Sequence, residues 1–110
     1  RHASKADQLD PGNPVILETI GSINLSLGDA PLAARYLERA WARALRRSPE
    51  IQIAIMDQLV RAWIAADRTD LAWQVADYRH RAFSEYGFPK DILHTFPSLR
   101  KPADSLPEKK

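Results

Sequence analysis

The stretch 13-NPVILETIGSINLSLGDAPLAARYLERAW-41 decides the fold. Asn13 ahead of Pro14 is a helix start: a side chain able to cap, then a ring that suits the first helical turn. Ile16, Leu17, Ile20, Ile23, Leu25 and Leu27 then recur mostly at spacings of three and four, which predicts an amphipathic helix closed by Gly28-Asp29. A second helix is expected from about Ala30 to Arg47, with Pro31 in its first turn and Ala33, Leu37, Ala40, Trp41, Ala44 and Leu45 on one stripe. So short a break between them calls for antiparallel packing.

Outward from this hairpin the punctuation repeats. Ser48-Pro49-Glu50 ends one helix and caps the next, which is expected to run from Pro49 to Ala66 with Ile51, Ile55, Met56, Leu59 and Trp63 inward and Ile64 at the margin. Asp67-Arg68-Thr69-Asp70 is a polar turn in which the two aspartates read as capping residues, and a fourth helix follows to about Tyr86. After Gly87-Phe88-Pro89, residues 90–96 suit one more short helix that sets Ile92, Leu93 and Phe96 over an open core end. Beyond Pro97, proline and lysine favour a flexible tail.

The composition sets the class. A chain of 110 residues, 45% hydrophobic and 27% charged, is one domain with a core of its own. No apolar run reaches the roughly 20 residues that cross a bilayer, and the first residues form neither a signal peptide nor an initiator methionine, so a piece of a longer protein is expected. With no cysteine there is no disulfide, thiolate metal site or cysteine nucleophile, and cytoplasm and periplasm stay equally open. A net charge of +2 is too small to imply nucleic acid, although a pI near 9.2 leaves room for local basic patches.

The two hairpins also repeat each other. Gly28, Ala33 and Leu37 are matched by Asp67, Ala72 and Ala76 at an offset of 39 residues, and Pro49 by Pro89 at 40. A near-constant period of helical hairpins marks a solenoid. The residues resemble the tetratricopeptide repeat family, with its pattern W-x2-L-G-x2-Y, then A-x3-F, then P. Leu17, Ile20, Gly21 and Asn24, then Ala33 and Leu37, fall at those spacings in the first repeat. Met56, Leu59, Val60 and Trp63, then Ala72 and Ala76, do so in the second, with Val60 standing where the signature has glycine. Ala6 and Pro11 resemble the end of a preceding repeat.

Each closing proline comes four or five residues late, which predicts second helices about one turn longer than a repeat of about 34 residues allows. The expected fold is all-α, antiparallel hairpins stacked as a tetratricopeptide-like solenoid, with a four-helix bundle as the competing arrangement. The expected units are the end of a repeat (1–12), two repeats (13–48 and 49–88), a capping helix (89–97) and the tail (98–110).

The resemblance implies a non-catalytic module that holds a segment of another protein in the groove formed by the first helix of each pair. It places Val15, Glu18, Ser22 and Ser26, then Asp57, Gln58, Arg61 and Ala65, in that groove. The matching sites Glu18, Ser22 and Gln58 lack the lysine, asparagine and arginine of the subclass that clamps acidic C-termini. Arg61 offers a planar fork of donors to a ligand, and Asp57 four residues earlier offers it an ordinary helical ion pair instead.

Arg35, Arg39, Arg43 and Arg47, spaced by four, form a possible basic patch, either a phosphate-neutralising stripe or a solvated face. Trp41, Trp63 and Trp73 read as packing residues, with Trp73 beside Tyr78 the one suited to an interface. His2, His80 and His94 lack metal-ligand spacing, and neither a phosphate loop nor a nucleophile elbow occurs, so no enzyme, metal or cofactor is expected. Because two repeats fall short of the usual three, self-association through the N-terminal end, around Ile16, Ile20 and Ile23, is the alternative assembly role. Nucleic-acid binding by the arginine stripe is the second alternative.

Overall fold

The computed structural model describes residues 12–100, and among these all regular structure is helical. In chain order they are α1 (Pro14–Ser26), α2 (Ala30–Arg43), α3 (Pro49–Ala65), α4 (Thr69–Ala82) and α5 (Lys90–Thr95), followed by a 3-10 turn at Pro97–Leu99. The expected preceding repeat end with Ala6 and Pro11, and the tail beyond Arg100, lie outside the described residues. No helix among the described residues is long and apolar enough to cross a membrane.

The helix starts follow their capping chemistry. The Asn13 side chain accepts from the amides of Val15 at 2.8 Å and Ile16 at 3.3 Å, Asp29 accepts from Leu32 at 3.3 Å, and Ser48 from Ile51 at 3.4 Å. Both hairpin turns close alike. Gly28 has φ +90 and Asp67 has φ +62, and in each turn the following amide bonds back five residues, Asp29 to Asn24 at 2.9 Å and Arg68 to Trp63 at 2.8 Å. Asp67 is therefore a left-handed turn residue rather than an N-cap. Arg68 holds the N-cap position of α4 without a capping side chain, and Asp70 takes its guanidinium at 3.1 and 3.2 Å.

The helices stack as consecutive hairpins. α1 packs on α2 and α3, and α3 packs on α2, α4 and α5, so α3 is the centre. The α1–α4 packing that would close a four-helix bundle is not among the principal contacts. Leu17, Ile20, Tyr36, Ala40, Ala44 and Ile55 form one core cluster, and Leu37, Met56, Leu59, Val60, Ala76 and Ile92 anchor a larger one. Gly21 allows the close approach in the first hairpin: a Cβ there would stand 2.6 Å from Leu37 Cγ and 3.2 Å from the Ala33 carbonyl oxygen.

Three expectations need correction. The late prolines do not lengthen the second helices; α2 ends at Arg43 and α4 at Ala82, and the surplus residues form turns, with Arg47 bonding to Ala44 and Tyr86 to Phe83. Ile23, Leu27 and Leu45 belong to the apolar pattern yet are 49%, 68% and 62% exposed. Leu27 and Leu45 lie past the ends of their helices, where the 3.6-residue period no longer aims a side chain inward, and Ile23 looks away from α2 and α3. Finally, the region given to the tail begins with an ordered turn whose Leu99 is 2% exposed and joins Ile92, Leu93 and partly buried Phe96 over the end of the core.

Candidate functional site

Pro14, Pro49 and Pro89 each stand at the start of a helix, and the three helices they start lie side by side. A ladder of side-chain hydrogen bonds crosses them. Ser22 Oγ on α1 donates to Glu18 Oε2 at 3.2 Å, and Gln58 Nε2 on α3 donates to Ser22 Oγ at 2.7 Å. Arg61 Nη1 donates to Gln58 Oε1 at 2.6 Å, and its Nε and Nη2 donate to the Asp91 carboxylate on α5 at 2.7 and 3.2 Å. This fork pairing is the rigid, bidentate kind that only arginine supplies.

Apolar hollows flank the ladder. Val15, Ile51, Ala54 and Ile55 line one of about 250 Å³, with Glu18 and Glu50 at its rim. Leu25, Ile64, Ala65 and Thr95 line another of about 570 Å³, bordered by Arg61, Asp91 and His94. The Arg61 guanidinium holds the Asp91 carboxyl below the usual carboxylate range, and the same hydrogen bond raises Arg61.

Of the residues expected in the groove, Glu18, Ser22, Gln58 and Arg61 are thus brought together, and Val15 and Ala65 line the hollows. Ser26 is exposed at the end of α1 and takes no part in the ladder. Asp57 does not face the groove. It is 8% exposed and turns toward α4, where its Oδ1 lies 2.7 Å from Arg79 Nε and its Oδ2 lies 3.4 Å from Arg79 Nη2. Arg61 therefore bonds across helices to Asp91 rather than along its own helix to Asp57.

Arg79, 1% exposed, also donates to the Gly87 carbonyl at 2.8 Å and stacks on the Phe88 ring at 3.9 Å. Burial pushes the Asp57 carboxyl up and the Arg79 guanidinium down, against their mutual attraction. The arginine stays protonated at any accessible pH, so the two depend on each other.

Sequence reasoning missed Arg79 and Asp91. Arg79 sits amid the basic run at the end of α4 and reads as a surface charge. Asp91 was within reach: the match of Pro49 with Pro89 continues the row of first helices into α5, and an acid in that helix's first turn falls beside Arg61.

The basic patch is exposed throughout, but shorter than expected. Arg35, Arg39 and Arg43 lie on α2, whereas Arg47 lies in the turn beyond its end. Arg39 stacks over Tyr36 at 5.5 Å, as an ordinary solvated arginine does. Trp73, 37% exposed, pairs with Phe96 at 5.4 Å rather than with Tyr78, which pairs with Trp41 at 5.4 Å. Comparison with protein-family models, curated proteins and solved structures finds no significant match.

Proposed function

We infer that the chain is a non-catalytic interaction module, tetratricopeptide-like, which holds a peptide or protein segment across the face made by α1, α3 and α5. What supports this reading is the alternation along that face of an apolar hollow, a polar ladder and a second apolar hollow. An extended segment laid across three parallel helices would place apolar side chains in the hollows and its backbone polar groups against Ser22, Gln58 and Arg61. Mutual bonding keeps these side chains in fixed rotamers, so little ordering entropy is left to lose when a ligand arrives.

A peptide-display selection on the purified chain, followed by amide chemical-shift mapping, tests this. Selected peptides should move Ser22, Gln58 and Arg61 and lose affinity with Arg61→Glu. Shifts confined to α2 and α4 would refute the groove.

A second reading, self-association, is favoured by the unpartnered side of α1, where Ile23 and Leu27 are 49% and 68% exposed. Ile20, expected there, is buried at 3% instead. Sedimentation over a wide concentration range separates the two, because a strict monomer leaves only the groove.

A further inference from the structure

We propose that the side of α3 turned away from the ladder carries a second binding site, one that takes the basic side chain of a partner peptide. Between α2 and α4, over Leu59, lies a hollow of about 290 Å³ walled by Trp41, Trp63 and Tyr78. Trp63 is rotated about 140° around α3 from Gln58, so this hollow and the groove open on different faces.

The chemistry of the walls selects a cation. Trp41 and Tyr78 meet at 5.4 Å with their planes tilted by 58°, a corner in which one side chain meets two rings. Glu38 is the sole charged side chain that lines the hollow; it is exposed and has no ion pair among the described residues. Gln74 adds an amide at the rim. Two indoles, a phenol and one carboxylate attract a guanidinium or ammonium through the ring quadrupoles and the charge together. Arg39 and Arg43 lie about 100° or more around α2 from Glu38, and Arg35, about 60° from it, lines a different hollow with Leu32, Tyr36 and Arg39, so no arginine of the stripe lines this corner.

The test is a titration of the isotope-labelled chain, following the three indole N–H resonances, with N-acetyl-arginine methylamide, the lysine equivalent and the neutral norleucine equivalent. The arginine or lysine probe should move Trp41 and Trp63 and spare Trp73, and the neutral probe should bind several-fold more weakly. Glu38→Gln and Tyr78→Ala replace exposed side chains, and each should weaken the cationic probe about two- to fivefold while the far-ultraviolet circular dichroism stays unchanged. Equal affinity for the neutral probe, or cation affinity untouched by both substitutions, overturns the proposal. It stands apart from the groove reading, because Arg61→Glu should leave these titrations as they are.

Discussion

The two hairpins solve the same packing problem with opposite choices. In α1–α2 a small residue, Gly21, faces the large Leu37; at the equivalent places of α3–α4 the large residue is Val60 and the small one Ala76, so the bulk changes sides. The glycine missing from the second repeat is thus offset on the other helix. A second exchange matters more. Glu18 faces the groove opposite a helix that carries Ala40, whereas the equivalent Asp57 is buried because Arg79 stands where Ala40 would. Arg79 then reaches on to Gly87 and Phe88, fastening the loop that delivers α5. One hairpin leaves its acid in the ladder with Ser22, and the other uses it to hold the next helix.

The largest effect should come from the asymmetry itself. Arg79→Ala leaves Asp57 buried without its cation and should cost about 3–5 kcal/mol in chemical denaturation. Loss of α5 docking should also show as faster amide exchange at Ile92 and Leu93. Gly21→Ala should cost about 1–3 kcal/mol, less the gain in helix propensity, because the new methyl meets Leu37 and a backbone carbonyl. Combined with Leu37→Ala it should cost clearly less than the sum of the two single changes, and strict additivity would deny the exchange of bulk.

The turns offer a smaller contrast. Asp67→Gly should stabilise by about 0.5–1 kcal/mol because φ +62 suits glycine better, whereas Gly28→Ala should destabilise by a similar amount. The smallest effect is with pH. Asp91 is held below its ordinary value, so its contribution is present above that value and lost as the pH falls through the depressed one. Because the pair is largely solvent-exposed, wild type should lose only about 0.2–1 kcal/mol relative to Asp91→Asn on acidification below about pH 4.

Most of the architecture was legible because it rests on local rules. Asn13, Asp29 and Ser48 announce helix starts, Gly28 a helix end, and the three- and four-residue spacing marks the buried faces. The expected length of α2 failed because late prolines bound a helix without saying where it ends before them. The repeat phase sets Glu18, Ser22, Gln58 and Arg61 on one face, where the structure joins them in one hydrogen-bonded ladder. Asp57 shares that phase and departs from it, because its direction depends on Arg79, 22 positions away.

The sequence alone determined an all-α chain of paired helices with a repeat period, since capping, turn and periodicity signals act within a few residues. Only the tertiary structure decided which charges meet. Asp57 with Arg79 and Arg61 with Asp91 are chosen by how α4 and α5 pack on α3, and for the buried Asp57 an unpaired charge would be costly and a distant partner is necessary.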